Sequence, residues 1–314
     1  MDLSFLNKDL TLVTADHALI EEAAKMEPRS YLGASSIGEN CNRKIWYRFR
    51  WLREKFDADT LKRFEDGHRT EDLVIQRLKL NINVSIVNET EQHQQIGFKD
   101  IDGHFSGHID GLITGVHAAP KTTHVLEIKC VSDKKFVELQ KAKAELGEKQ
   151  AIRKWNPVYY AQIVVYMQYM KLKRAYHVIA TAGGRAWDSC RTEEDAPFAL
   201  SLIEKARNII YANDTPQRLS NDKSYYECKF CSFYKVCHEK ELPNRHCRTC
   251  LHSSPAADGK WTCHLYGEID YEKQLAGCPS HAYIPSFVDG EIKEVVGNRI
   301  VYTLKDGSEW SDGK

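Results

Sequence analysis

Gly107-His-Ile-Asp-Gly-Leu-Ile-Thr114 and His124-Val-Leu-Glu-Ile-Lys-Cys-Val131 are the two stretches whose reading decides the fold. In each, β-branched and other apolar residues alternate with polar ones over a short run, the pattern of a β-strand. Strand side chains alternate between faces, so Glu127 and Lys129 point one way and Ile128 points into the core. Pairing of the two strands brings Asp110 beside them. Two carboxylates and one ammonium then meet at one spot, a set suited to holding a divalent cation and activating a water against a phosphodiester.

Helices are expected on either side of these strands. Phe64-Glu-Asp-Gly-His-Arg-Thr-Glu-Asp-Leu-Val-Ile-Gln-Arg-Leu78 has apolar residues (with Leu61 before it) at roughly helical spacing. It carries Glu71, with His68 one turn back on a face the two can share. Pro157-Val-Tyr-Tyr-Ala-Gln-Ile-Val-Val-Tyr-Met-Gln-Tyr-Met170 opens with proline at a first helical position and stays apolar on most faces, so it reads as a buried helix. Gln162 and Tyr166 lie four apart in it, hence on one face. Around them the pattern predicts helices near 15–26, 41–54, 58–80, 133–148 and 195–213. Strands are predicted near 82–88, 93–98, 104–115, 123–131, 174–181 and 186–192, and a terminal hairpin turns at Gly297-Asn298. The order makes an α/β core with a mixed sheet flanked by helices.

Cysteine usage points to metal. The chain has ten cysteines, at 41, 130, 190, 228, 231, 237, 247, 250, 263 and 278. No secretory leader or membrane-length apolar run is visible, which argues against a disulfide framework. Cys228-x2-Cys231-x5-Cys237 follows the last long helix, and Cys41 stands far upstream. A second group, Cys247-x2-Cys250 with Cys263 and Cys278, reads as a small zinc-ribbon-like site, with His246, His252, His264 or His281 as substitute ligands. Cys130 and Cys190 lie in strand-like segments and read as ordinary buried cysteines.

Asp110, Glu127-x-Lys129 and the flanking helices together resemble the PD-(D/E)XK nuclease superfamily, whose restriction-endonuclease-like core is an α/β sheet of this order. Gly67-x-x-x-Glu71 is similar to its leading-helix motif, and Gln162-x-x-x-Tyr166 to the Gln-x-x-x-Tyr motif of the RecB-like and phage exonuclease branch. Cys41 with the Cys228, Cys231 and Cys237 trio resembles the iron-sulfur staple of that branch. The resemblance spans roughly residues 31 to 240. It implies Mg²⁺ or Mn²⁺ held by Glu71, Asp110, Glu127 and the backbone carbonyl of Ile128. It implies Lys129 orienting the attacking water, and Gln162 and Tyr166 beside the lysine and the phosphate. Four thiolates suit a [4Fe–4S] cluster, while zinc accepts the same set. As a cross-link from Cys41 to Cys228 the staple removes about 5 kcal/mol of unfolded-chain entropy. The sequence departs from the family pattern at Ile109, where the superfamily's name-giving proline stands, and at Glu71, where many RecB-like members have histidine.

The expected function is a metal-dependent DNA exonuclease of phage or bacterial recombination, repair or replication, working in the cytoplasm of a bacterial or phage-infected cell. A structure-selective endonuclease and a non-catalytic DNA-binding or recruitment protein are the alternatives. No membrane association is expected. No helicase motif is present, so unwinding falls to a helicase or other recombination or replication partner. Lys+Arg and Asp+Glu both number 44, so the DNA track must be local. Candidates are Arg43, Lys44, Arg48, Arg50 and Arg53, interleaved with Trp46, Tyr47, Phe49 and Trp51, and then Lys134, Lys135, Lys171, Lys173 and Arg174. The same aromatics equally suit a helix packed on a core. From about 243 the composition shifts to Cys, His, Pro and Gly. The expected division is therefore a nuclease domain at 1–240 and a cysteine-rich metal-binding module with its hairpin at 241–314.

Overall fold

A computed structural model describes residues 9–313. In chain order the first elements are α1 (Leu10–Lys25), β1 (Leu32–Gly33), α2 (Asn42–Phe49), α3 (Ala58–Lys79), β2 (Ser85–Val87), β3 (Gly97–Asp100) and β4 (Phe105–His108). Then come β5 (Gly111–Thr114), β6 (His124–Val131), α4 (Asp133–Leu146), α5 (Glu148–Trp155), α6 (Pro157–Met170), β7 (Arg174–Thr181) and β8 (Trp187–Glu193). The remainder are α7 (Ala196–Ile210), α8 (Tyr226–Lys229), α9 (Tyr234–His238), β9 (Ser253–Pro255), β10 (Trp261–Cys263), β11 (Gly267–Ile269), α10 (Tyr271–Ala276), β12 (Gly290–Val296), β13 (Arg299–Leu304) and β14 (Glu309–Asp312).

Two compact units divide the chain. One holds the residues up to Pro28 with Lys55–Ile96 and His108–Asp195; the other holds Arg29–Glu54, Gly97–Gly107 and everything from Ala196 on. The composition shift near 240 is therefore not where the units part, because residues 29–54 and 97–107 cluster with the C-terminal portion.

The first unit is a mixed α/β structure on a five-stranded sheet ordered β2-β5-β6-β7-β8. β6 and β7 run parallel, and the other neighbours are antiparallel. Parallel neighbours need a crossover, which α4, α5 and α6 supply. β6 is the central strand. Its Leu126 and Ile128 join Val178 and Ala180 of β7, and Val74 and Ile75 of α3, in one buried cluster. α3 begins where the Asp57 carboxylate accepts from the Thr60 N–H at 2.8 Å. It is pinned mid-length, where the buried Thr70 hydroxyl accepts from the Gly183 N–H at 3.0 Å, and in its last turn, where Arg77 donates to the Gly184 carbonyl at 2.5 Å. α6 starts as expected, with Asn156 capping Tyr159 N at 3.2 Å and Pro157 in the first turn. Residues Tyr160 to Met167 are all buried. Each buried Ile or Val there contributes about 1.5–3 kcal/mol by removal from water.

Three expected elements differ. The strand over 104–115 is two strands: β4 pairs with β1 in the second unit, and β5 joins the large sheet, with Ile109 and Asp110 between them. The helix over 133–148 is divided into α4 and α5 at Gly147, whose φ of +77° lies outside the helical range. The helix expected to run to residue 54 stops at Phe49, because Trp51 takes the left-handed conformation at φ +60°.

The second unit carries three small sheets, ordered β1-β4-β3, β9-β10-β11 and β12-β13-β14. Trp46, Tyr47, Phe49 and Trp51 are buried in its core with Trp261 and Phe287. Arg50 is buried too, and its guanidinium donates to backbone carbonyls of Ala212, Arg248 and Ser253. Those aromatics and Arg50 thus form the core and not a nucleic-acid stacking surface. Lys44 and Arg48 are ion-paired, with Glu39 and with Glu39 and Glu54 respectively. No helix among the described residues is long and apolar enough to cross a membrane.

Candidate active site

All six residues expected to serve the chemistry, Glu71, Asp110, Glu127, Lys129, Gln162 and Tyr166, lie in the first unit. Asp110 immediately precedes β5, and its Oδ2 accepts the backbone N–H of Ile128 in β6 at 2.5 Å. Gly111 beside it admits the close approach of β2, since a Cβ there would stand 3.1 Å from the Val87 carbonyl oxygen. The Lys129 ammonium lies 2.5 Å from Glu127 Oε1 and 5.3 Å from the centre of the Tyr159 ring. Glu127 is 1 % exposed, and its second oxygen, Oε2, is buried without a hydrogen-bond partner. On α6 the Gln162 amide donates to the Tyr166 hydroxyl at 3.1 Å, and both side chains are buried.

Electrostatics bind these groups into one site. Burial pushes the Glu71 carboxyl up to about 7, and the Asp110 charge pushes the same way against the pull of Lys129. Asp110 is raised by burial, with Lys129 and the Ile128 N–H opposing. Glu127 is raised by burial and by Asp110 and Glu71, with Lys129 opposing. For Lys129 burial works against the charge, but Glu127 and Asp110 outweigh it and hold the ammonium protonated. Tyr166 is pushed above the ordinary phenol range by burial and then by the Glu127 charge. Three carboxylates and one ammonium therefore sense one another. Among the described residues, however, no three His, Cys, Asp or Glu side chains are gathered closely enough to hold a metal ion.

One residue of this neighbourhood escaped the sequence reading. His177 on β7 is fully buried and stands opposite Glu127 in the parallel β6–β7 register. Burial and then the Lys129 charge push its imidazole down to about 3, so it is neutral. A histidine in an apolar strand looks like core; only the register with Glu127 distinguishes it. His68, in contrast, is exposed on α3.

The cysteines expected to bind metal all lie in the second unit. Cys228 is raised by burial and then, against an opposing backbone hydrogen bond, by Cys237 and Cys41; Cys231 is raised by burial and also feels Cys41 and Cys237. Cys228 and Cys231 are thus each within electrostatic reach of Cys41 and Cys237. In the later group, burial followed by Cys250, Cys278 and Cys263 pushes Cys247 up to about 12. All ten cysteines are free thiols, and among the described residues neither group is gathered into a set of three or more metal-ligating side chains. His281 is engaged elsewhere, its ring nitrogens within 3.1 Å of the Thr249 hydroxyl and 3.2 Å of Arg245.

No family model and no curated protein matches this chain. Among solved structures, one under the name SSO0001 is similar at TM-score 0.41 and 16% identity, over 73% of this chain and 96% of its own. An alkaline exonuclease from Laribacter hongkongensis is similar at TM-score 0.41 and 12% identity, over 62% of this chain and 90% of its own. A phage-related exonuclease from Haemophilus somnus is similar at TM-score 0.40 and 12% identity, over 57% of this chain and 91% of its own. Likeness at this level assigns neither fold family nor activity. The constellation of Asp110, Glu127, Lys129 and Glu71 has to carry the functional reading.

Proposed function

We propose that this protein is a metal-dependent DNA nuclease that hydrolyses phosphodiester bonds, acting as an exonuclease. The observation that carries the reading is the meeting of Asp110, Glu127 and Lys129 on adjacent strands. Glu71 lies within electrostatic reach from α3, and the Gln162–Tyr166 pair from α6. In donor chemistry the set suits Mg²⁺ or Mn²⁺, since it is made of hard carboxylate oxygens, one of them orphaned, that would have to draw together around the ion. The mutual repulsion that raises the carboxyl groups is what a divalent cation relieves. Glu71, Asp110, Glu127 and the Ile128 carbonyl would hold it. When bound, such an ion supplies Lewis acidity and an acidified water.

The chain's own residues do the rest. Lys129 brings a permanent positive charge next to the carboxylates, suited to orienting the attacking water and offsetting charge on the phosphoryl oxygens. Tyr166 keeps its proton, so with Gln162 it offers neutral donors that position the lysine and the phosphate. A protein built only to bind DNA has no use for an ammonium packed on a buried carboxylate.

The two cysteine groups belong to the same proposal. Cys41, Cys228, Cys231 and Cys237 are read as ligands of a [4Fe–4S] cluster, and Cys247, Cys250, Cys263 and Cys278 as ligands of zinc. Electrostatic coupling among the thiols of each group supports this. So does a charge argument for the second group. Buried Arg50 and Arg248 have no ion pair among the described residues, and Cys250 is the group whose negative charge favours Arg50. A zinc tetrathiolate carries net charge −2 and would offset the two cations. The expected setting is the reducing cytoplasm of a bacterial or phage-infected cell, beside a helicase or recombination partner.

The test is cleavage of end-labelled linear and circular DNA, single- and double-stranded, by anaerobically purified protein with Mn²⁺. Degradation confined to linear DNA supports the exonuclease. Cutting of circles moves the reading to a structure-selective endonuclease, and no cleavage of any form moves it to a DNA-binding protein.

A further inference from the structure

His177 is the buried polar group that this chemistry leaves unused. It pairs in register with Glu127 across β6 and β7, while Asp110 stands one residue beyond the Gly111–Leu126 pair on the other side of β6. Residues paired across neighbouring strands share a face, so His177 continues the line of Asp110 and Glu127 over a third strand. Its own neighbours along β7, Ala175, Val178, Ile179 and Ala180, are buried and apolar. Packing alone would call for another apolar residue there.

Neither ring nitrogen of His177 has a hydrogen-bond partner, and neither does Oε2 of Glu127, its partner in the strand register. Buried polar atoms in folded proteins are nearly always paired, so three orphan atoms on two residues in register across adjacent strands mark a missing interaction. A neutral imidazole offers one N–H and one acceptor nitrogen. Carboxylates that ligate metals are in turn held by hydrogen bonds from outside the coordination sphere.

We propose that His177 is a positioning residue for Glu127: in the metal-loaded protein its neutral imidazole donates to Oε2 and fixes the carboxylate that faces the cation. The proposal rests on the metal-dependent nuclease reading of the same site.

Mn²⁺ titration calorimetry on the full chain tests it, with the melting temperature of each metal-free sample read in parallel. Glu127→Gln should abolish binding. His177→Phe, and His177→Leu as a second packing variant, should weaken Mn²⁺ affinity about 10- to 100-fold. Their metal-free melting temperature should equal or exceed that of the wild type. His177→Gln, which keeps a donor, should recover most of the affinity. Wild-type affinity in the apolar variants, or equal weakening in the apolar and Gln variants, overturns the positioning role. If Glu127→Gln abolishes binding while the apolar His177 variants bind normally, only this inference falls. If the wild type binds Mn²⁺ no better than Glu127→Gln does, the metal-dependent reading falls and takes this inference with it.

Discussion

The Asp110 carboxylate accepts the backbone N–H of Ile128 at 2.5 Å, so a side chain extends the β5–β6 ladder by one bond past Gly111–Leu126. That bond fixes Asp110 against the strand residue lying between Glu127 and Lys129. It also explains why the chain breaks its strand at Ile109-Asp110: a residue inside a regular ladder would spend its backbone, and not its side chain, on the neighbour. Asp110→Asn keeps an oxygen able to accept this N–H while removing the charge. The variant should fold with a metal-free melting temperature close to wild type, lose the Mn²⁺-induced rise in melting temperature, and lose cleavage by at least about 10²-fold. A Mn²⁺-induced shift of wild-type size would remove Asp110 from the ligand set.

Lys129 is the group whose charge is needed only once phosphate is present. Lys129→Met keeps most of the side-chain length and frees Glu127 Oε1, which the ammonium now engages. Mn²⁺ affinity should be retained or increase, while the cleavage rate at saturating Mn²⁺ falls about 10²- to 10³-fold. Wild-type cleavage by this variant would show that the ammonium has no part in the reaction.

The pH dependence of the metal-free protein follows from the raised carboxyl groups. Glu71 titrates near 4.5 when free of the fold and at about 7 within it. Between those values the folded state holds a proton that the unfolded chain has lost, so stability falls as pH rises. The contribution is complete below 4.5 and is lost as pH rises through 7; Asp110 and Glu127 act with the same sign. In EDTA the melting temperature should drop from about pH 5 to about pH 8, Glu71→Gln should flatten the drop, and saturating Mn²⁺ should oppose it. A melting curve that rises over this range in EDTA would contradict the charge balance described for the site.

Much of the first unit is legible from local pattern. The short runs rich in β-branched and apolar residues at His124–Val131 and Arg174–Thr181 give β6 and β7, and the mostly apolar run after Pro157 gives α6, because segments buried on most sides carry that composition. What local pattern cannot carry is partner choice. Phe105–His108 looks continuous with Gly111–Thr114, yet it pairs with Leu32–Gly33, more than seventy positions away. Trp46, Tyr47, Phe49 and Trp51 are interleaved with cations as a stacking surface would be, yet the cations satisfy carbonyls and carboxylates while the rings fill the core. His177 is hidden for the same reason, since its meaning lies in a register set by another strand.

Tyr166 tests the role of the α6 pair apart from the ladder. Tyr166→Phe removes the hydroxyl that accepts from Gln162 at 3.1 Å and leaves the ring that fills the core. Loss of such a neutral hydrogen bond costs about 1 kcal/mol, so the fold should survive. Mn²⁺ affinity should be unchanged, because neither residue is in the ligand set, while cleavage falls about tenfold or more. By comparison Leu126→Ala, at a fully buried position in the β6 core, should cost about 2–5 kcal/mol of stability. Denaturant unfolding beside a cleavage assay separates the two: parallel losses of stability and activity in Tyr166→Phe would make the pair a packing feature.

The cysteine assignments make a prediction in metal content. The two groups lie in one unit, but the loop between Cys41 and Cys228 contains the whole five-stranded sheet of the other. A cluster joining them closes that loop and removes about 5 kcal/mol of unfolded-chain entropy, comparable with the net stability of a domain. Cys41→Ser should therefore lose iron and visible absorption, keep its zinc, and melt many degrees lower. Cys250→Ser should lose zinc and keep its iron, and it should leave Arg50 and Arg248 buried with less compensating charge, so it too should melt lower. Elemental analysis of anaerobically purified proteins reads both outcomes. Iron at wild-type level in Cys41→Ser would remove that cysteine from the ligands, and loss of both metals in either variant would mean that the two groups do not form separate centres.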